Sequence, residues 1–321
     1  MTPQPFGVAE LHAAAAAGIR APSMHNSQPW RFRLREGAIE VLADPRDHLA
    51  LADRIGWAVR IACGAAVFNA RLALLANGTP ADVRLRPDQA DPLVMAGLRP
   101  GPLRPATYPE RDLYAAVGRR RSSREPFWPD PVPAEIRMRL VDAARAEGAW
   151  LELLIGMTAL KGFAQIAQSA DRVLRRDPAY QAQLSHWIRT EPAGDGVPVT
   201  AGARRAEPQD LLPQRAYSDR PRAPGRDFES EPLIAILGST GDTAADQINA
   251  GQALQRVLLT ATDAGLATSM ISQPIEVTGA RDQLSRSLGG RSGTPQMALR
   301  IGYGQPGSTT PRRDLAQAIL P

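Results

Sequence analysis

Two short stretches concentrate the side chains able to bind a ligand. The first, GRRRSSREPF at residues 118–127, places Arg120, Ser122 and Arg124 two apart. In an extended chain alternate residues face the same side. Two guanidinium forks and a hydroxyl would then converge on one anion, a donor set that suits a phosphate monoester. The second, APSMHNSQPW at residues 21–30, sets Ser23, His25, Asn26, Ser27 and Gln28 between Pro22 and Pro29. An asparagine amide carries both a donor and an acceptor, so Asn26 together with Ser23 could read the amide-like edge of a polar ring. Each stretch also has a plain structural reading. The first could be a solvated basic turn, and the second an Asx- or ST-type turn at a helix end with Trp30 in the core.

Other chemistries find little support. His25 has no serine elbow and no acidic partner at recognisable spacing, so it reads as a histidine satisfied by a backbone carbonyl. Cys63 lies among small residues with only Arg60 as a nearby cation, and reads as an inert core thiol. One cysteine excludes a disulfide framework, and the four histidines show no metal-ligand spacing. GYGQPG at 302–307 matches G-x-G-x-x-G after a strand, but Pro306 and STTPRR follow where a dinucleotide site needs a helix. Arg312 and Arg313, after Pro311, could reach back to an anionic ligand or form a plain basic tail.

The elements that must position these residues belong to an ordinary globular chain. It has 321 residues, 43% hydrophobic and 22% charged, which allows one large or two ordinary domains. The net charge is +5, carried by arginines spread along the chain, so no nucleic-acid surface is expected. No basic leader and no run of 18 apolar residues is found, so a cytoplasmic protein without a membrane span is expected. Helices are expected at 8–17 (capped by Gly18), 53–76, 133–147, 159–176, 245–265 and 278–288. Strands are expected at 30–34, 39–43, 149–155, 232–238 and 297–303. Residues 79–110 read as a proline-rich connection. Residues 190–227, rich in Pro, Gly and Arg, read as a lid or a disordered loop. The segments 61–78 and 248–265 share an order of small residues, an aliphatic stripe and a closing glycine, which hints at an internal duplication.

Together the two polar stretches resemble a known pattern. Arg120, Ser122 and Arg124, followed by Pro126 and Phe127, resemble the FMN-phosphate motif of the nitroreductase superfamily. APSMHNSQPW is similar to its A-P-S-x-x-N-x-Q-P-W element. The order is inverted relative to ordinary nitroreductases, in which the arginine motif comes first. That inversion, the form HNSQPW, the segment ACGAAVFNARLAL (62–74) and the terminal Pro-Arg-Arg are similar to the Acg-like family, in which one chain holds two nitroreductase-like halves. The resemblance covers most of the chain, with 190–227 the least matched.

The resemblance implies an α+β, nitroreductase-like fold with two pseudo-symmetric sheet-and-helix halves mimicking a homodimer. These would be residues 1–105 and 106–321, with a lid at 190–227. It implies FMN as cofactor and NAD(P)H as co-substrate. Arg120, Ser122 and Arg124 would hold the phosphate, and Ser23 and Asn26 the flavin ring. Gly265 and Thr268 of GLATSM, and Arg313, would be further cofactor contacts. No catalytic side chain and no metal is implied. The partner is a small electron acceptor, a nitroaromatic or quinone, and the chain is expected to act as a monomer. The second half carries GAWLEL where a copy of the polar loop would fall, and the first half lacks R-x-S-x-R, so one FMN per chain is expected. The alternative is a protein that binds or stores FMN without turnover beneath a closed lid.

Overall fold

The computed structural model describes residues 4–44, 56–86, 91–191, 193–202, 210–218, 231–289 and 293–321. Along the chain the elements are α1 (Val8–Gly18), β1 (Trp30–Arg35), β2 (Ala38–Ala43), α2 (Trp57–Ala76), β3 (Ala81–Leu85), β4 (Val94–Pro100), α3 (Tyr108–Val117), α4 (Ala134–Arg145), β5 (Trp150–Leu154), α5 (Met157–Arg176), α6 (Pro178–His186), β6 (Ile188–Arg189), β7 (Val197–Pro198), β8 (Leu233–Ser239), α7 (Ala244–Asp263), β9 (Ala267–Ile271), α8 (Gln273–Glu276), α9 (Thr278–Ser287), β10 (Thr294–Gly302) and α10 (Leu315–Ala318). They divide into two compact units, one of residues 1–120, 242–263 and 312–321, the other of 121–241 and 264–311. The units are discontinuous, so they are not the two sequence halves. Helix α7 and the C-terminal ten residues belong with the N-terminal strands.

In the first unit the sequence Glu36-Gly37 turns the hairpin. Both residues have positive φ, 51° and 72°, the backbone that a two-residue turn matching the strand twist requires. The hairpin β1–β2 pairs Trp30 with Ala43 and Arg35 with Ala38. Strands β4 and β3 extend it to an antiparallel sheet of order β1-β2-β4-β3. This corrects the reading of 79–110 as a connection. β3 alternates partly buried and exposed residues, and its flanking prolines and charges mask a short strand pair. After α10, Leu320 N donates to Phe32 O at 2.8 Å, so the C-terminus runs alongside β1.

Gly18 is not the cap expected of it. The helix ends on Ile19 in right-handed conformation, and Gly18 is needed for space, because a Cβ there would lie 2.3 Å from the Phe32 ring. In α3, Thr107 Oγ1 and the Glu110 carboxylate cap the first turn reciprocally. The expected helix at 53–76 is seen from Trp57, with 53–55 outside the described residues. Among the described helices α2 alone is long and apolar enough to cross a membrane, yet 89% of that stretch is buried within the protein, which makes it a core helix.

Its main partner is α7. A Cβ on Gly64 would sit 1.9 Å from Ile248 O and 3.0 Å from Gly251 Cα; one on Gly251 would sit 2.2 Å from Ile61 O and 3.0 Å from Gly64 Cα. Two backbones approach this closely only where neither carries a side chain. The contact is reciprocal: a shift of 187 positions carries Ile61 to Ile248 (248 − 61 = 187) and Gly64 to Gly251 (251 − 64 = 187), and so carries the Gly64–Ile248 approach into the Gly251–Ile61 one.

In the second unit the sheet order is β5-β8-β10-β9. Ile234, Ile236 and Leu237 of β8 and Leu299 and Ile301 of β10 are fully buried, as their continuous apolar runs foretell. A register shift between Pro295 and Met297 absorbs the proline in β10. Helix α6, unforeseen, is started by Asp177, whose carboxylate accepts from Ala179 N and Tyr180 N ahead of the strand pair β6–β7. In each four-stranded sheet the strands, ranked by chain order, lie in the sequence first-second-fourth-third. In each, a 20-residue helix (α2 or α7) connects the second strand to the third.

Candidate functional site

The polar loop of the first unit is built under backbone strain. His25, Asn26 and Gln28 have φ of 52°, 56° and 54°, the left-handed region that L-residues avoid at a cost on the order of 1 kcal/mol each. Such a loop persists only where its surroundings over-determine it. Ser23 Oγ accepts from Gln28 N at 2.9 Å, and Gln28 Nε2 donates to Asn26 O at 3.3 Å. The chain terminus completes the clamp. Arg313 N donates to Gln28 Oε1 at 3.0 Å. Arg312 Nε donates to Ile19 O at 2.6 Å, its Nη1 to Asn26 Oδ1 at 2.9 Å and its Nη2 to Ala21 O at 3.2 Å. Arg120 Nη2 donates to Arg20 O at 3.3 Å. Asn26, Arg120 and Arg312 thus gather where α1 ends, the end at which a helix presents its carbonyls and favours cations. The loop residues His25 to Gln28 are buried, as is Trp30 behind them. Cys63 Sγ lies 3.6 Å from Pro29 O, and burial pushes its thiol pKa up, the inert state expected of it.

The second cluster lies in the second unit. Ser123 N donates to Thr268 O on β9 at 2.8 Å, and Arg300 Nη2 donates to Glu125 O at 2.9 Å while its guanidinium covers the Phe127 ring at 4.1 Å. These contacts seat the segment from Ser122 to Phe127 beside β9 and β10. Thr268 is buried, and Gly265, with φ of 73°, makes the turn into β9.

Arg124 is the chemically distinctive residue there. Its Nη1 donates to Ala201 O at 3.0 Å, and its guanidinium lies 4.9 Å from the centroid of the Tyr217 ring. Among the described residues it has no carboxylate partner. Burial, with repulsion from Arg215, holds its pKa below the ordinary arginine value despite the favourable Tyr217 ring and hydroxyl. Arg215 is answered differently. It forms an ion pair with Glu276, contacts the Tyr180 hydroxyl and donates to Ser272 Oγ at 2.9 Å. Burial works against its charge, but Glu276 together with Tyr217 and Asp171 outweighs that and raises its pKa. The Tyr217 phenol is pushed up by burial.

Of the residues singled out by sequence, Ser23, Asn26, Arg120 and Arg313 fall in the first unit, and Ser122, Arg124, Gly265 and Thr268 in the second. Residues 120–124 form no strand, so the alternation argument for Arg120, Ser122 and Arg124 fails, and each is placed by its own contacts. Arg312 is not a loose tail, because its guanidinium is engaged with the end of α1 and with Asn26. Sequence reasoning missed Arg300, Ala201, Arg215, Tyr217 and Glu276. Arg300 left a signal, a cation inside the apolar run MALRIG. Ala201, Arg215 and Tyr217 had none, since 190–227 lacks periodicity. Of that stretch, 192, 203–209 and 219–227 lie outside the described residues.

This is the architecture of a mixed helix-and-sheet protein, and comparison with known proteins identifies its family. The sequence profile of the nitroreductase family matches residues 117–303, and the chain belongs to that family. A Mycobacterium tuberculosis protein provisionally named NAD(P)H nitroreductase Rv3131 is 33% identical over 94% of this chain and 88% of its own length. Another from that organism, provisionally named NAD(P)H nitroreductase acg, is 29% identical over 96% of this chain and 95% of its own. Among solved structures, the FMN-dependent nitroreductase NfnB of Mycobacterium smegmatis, in complex with NADPH, overlaps 64% of this chain and 96% of its own at 18% identity, with a TM-score of 0.43.

Proposed function

We propose that this protein is an FMN-binding oxidoreductase of the nitroreductase type, using NAD(P)H as co-substrate. The observation that carries the reading is Arg124, a half-buried guanidinium without a carboxylate among its described partners. Partly withdrawing a charge from water is costly unless it is paired, and such a cation suits an anion. Ser122, in the same segment, is proposed as a hydroxyl donor beside it, a donor set that suits the phosphate of FMN. The strained loop at 23–28 fits the flavin ring edge, since Ser23 and Asn26 are fixed in place before any ligand arrives. Arg120, Gly265, Thr268 and Arg313 are proposed as the remaining cofactor-binding set, with one FMN per chain.

When bound, FMN supplies the redox chemistry, accepting hydride from NAD(P)H for delivery to a nitroaromatic or quinone acceptor. The protein's own residues bind and orient. Ser122 and Arg124 fix the phosphate, and the clamp by Arg312 and Arg313 keeps the loop from relaxing. No side-chain acid or base is assigned.

The halves 1–105 and 106–321 are proposed as an internal duplication acting as a monomer. The shared strand order and the reciprocal contact, whose residues are related by one shift of 187 positions, support this. A second reading is an FMN store without turnover. It is favoured by one observation, that Ala201 and Tyr217 of the 190–227 stretch pack against Arg124.

Purified flavin-loaded protein mixed anaerobically with NADPH or NADH separates the two. Loss of the oxidised flavin absorbance on mixing supports the enzyme, and an unchanged spectrum supports the store. A protein that neither carries flavin nor takes up added FMN refutes both. Arg124→Ala should weaken FMN binding by about 1.5–3 kcal/mol, the range for charge-assisted bonds.

A further inference from the structure

The guanidinium assigned to the phosphate does not set its own direction. Arginine has a long, flexible side chain, and two-pronged recognition of an anion depends on the plane of its fork. Two groups fix that plane here. Ala201 O takes Nη1 at 3.0 Å. The Tyr217 ring lies 4.9 Å from the guanidinium carbon. Tyr217 itself is buried, and its neighbour Arg215 is anchored by Glu276, which is 1% exposed, together with Ser272 Oγ and the Tyr180 hydroxyl. A salt bridge this enclosed, joined to two hydroxyls, makes residues 215–217 a fixed part of the second unit. With Nη1 held and one face supported by the aromatic ring, the remaining nitrogens define where an anion is gripped.

We propose that Tyr217 is a positioning residue for the cofactor phosphate, stacking on Arg124 and setting its fork, and that the Arg215–Glu276 pair holds Tyr217 in place. This rests on the FMN reading given above. It assigns part of the 190–227 stretch to the phosphate end of the cofactor. A cover over the ring alone would leave Tyr217 and Arg215 without a role in phosphate recognition.

The stacking is supplied by the ring, and the hydroxyl is secondary. Tyr217→Phe keeps the ring, whereas Tyr217→Leu keeps comparable apolar volume and loses the π face. The measurement is the affinity of the full-length chain for FMN and for riboflavin, which lacks the phosphate, followed by flavin fluorescence quenching. For the native protein FMN should bind tighter than riboflavin. Tyr217→Leu should reduce that FMN-to-riboflavin ratio about tenfold with riboflavin affinity retained, and Tyr217→Phe should keep it within about threefold. Thermal unfolding without flavin confirms that each variant is folded. Because removing one member of a buried ion pair endangers folding, the latch is tested by the paired Arg215→Met/Glu276→Gln variant, which should lower the same ratio.

If the native protein shows no preference for FMN over riboflavin, the phosphate assignment of Arg124 is wrong. If it shows the preference and Tyr217→Leu leaves the ratio unchanged, or weakens both flavins equally, the positioning role is overturned while the FMN reading stands.

Discussion

The crossing of α2 and α7 offers a measurement whose size follows from the coordinates. Gly64→Ala puts a methyl carbon 1.9 Å from Ile248 O, and ordinary contact requires about 3.2 Å or more, so the helices must part by more than about 1 Å. The obstacle is main chain inside a helix and cannot swing aside. A gap of that size forfeits a quarter to a half of each contact it opens. The helix is lined at this crossing by Ile61, Ala62, Ala65 and Val67, all buried. Overpacking of this kind costs about 3 kcal/mol, the upper end for a methyl added to a dense core. Alanine's better helix propensity offsets about 1 kcal/mol, leaving a net loss near 2 kcal/mol. Gly162→Ala, mid-helix in α5 with nothing within 4 Å of the new methyl, should instead gain about 0.5–1 kcal/mol. Urea denaturation at constant m-value reads both. Gly251→Ala should match Gly64→Ala within about 1 kcal/mol. The double variant should fall short of the sum by at least about 1 kcal/mol, because one separation relieves both clashes. A Gly64→Ala protein as stable as native, or strict additivity in the double variant, would refute the close reciprocal crossing.

Two further outcomes follow from the first unit. Arg312→Ala removes donors from Ile19 O, Ala21 O and Asn26 Oδ1, and should lower stability by about 2–3 kcal/mol in urea unfolding and weaken FMN retention; lysine should restore only part, since a point ammonium cannot span those acceptors. Glu110 is held down to about 2, first by its hydrogen bonds from Arg104 and then by Thr107, so the carboxylate is favoured in the folded state. Its contribution should be complete above the unfolded value of about 4.3 and fade as pH falls through about 2, and Glu110→Gln should abolish that acid dependence, by no more than about 1 kcal/mol at this accessible site, in denaturation series from pH 2 to 5.

How much was legible depended on whether an element speaks through its own residues. WRFRL and IEVLA alternate around Glu-Gly, and the hairpin β1–β2 follows from that alone. PLIAILG and MALRIGY are continuous apolar runs, as strands buried on both faces must be. β3 was hidden because it is short and carries little apolar pattern, and β4 because it is set among prolines; β4 pairs with both β3 and β2. The polar loop was legible as a set of side chains and illegible as a conformation. Nothing in His-Asn-Ser-Gln announces left-handed backbone, which is imposed by Ser23 and by arginines from the far end of the chain. Arg124 was legible as a cation, but its ring partner lies in a stretch with no pattern to read.

The same dependence on distant partners explains why this chain keeps both of its halves. α2 has the hydropathy of a membrane span, and it is buried because α7 lies along it, with Gly251 meeting Gly64 across 187 positions (251 − 64). Neither α7 nor the C-terminal residues that clamp the loop belong to the N-terminal half of the sequence, though both belong to the first compact unit. Residues 1–105 alone would present the small-residue face of α2 to water and would lack Arg312 and Arg313 to hold three left-handed residues in place. Exposed apolar area of that kind is not tolerated by a stable monomer. The strained loop, and with it Asn26, therefore draws its geometry from residues that the second half of the chain supplies.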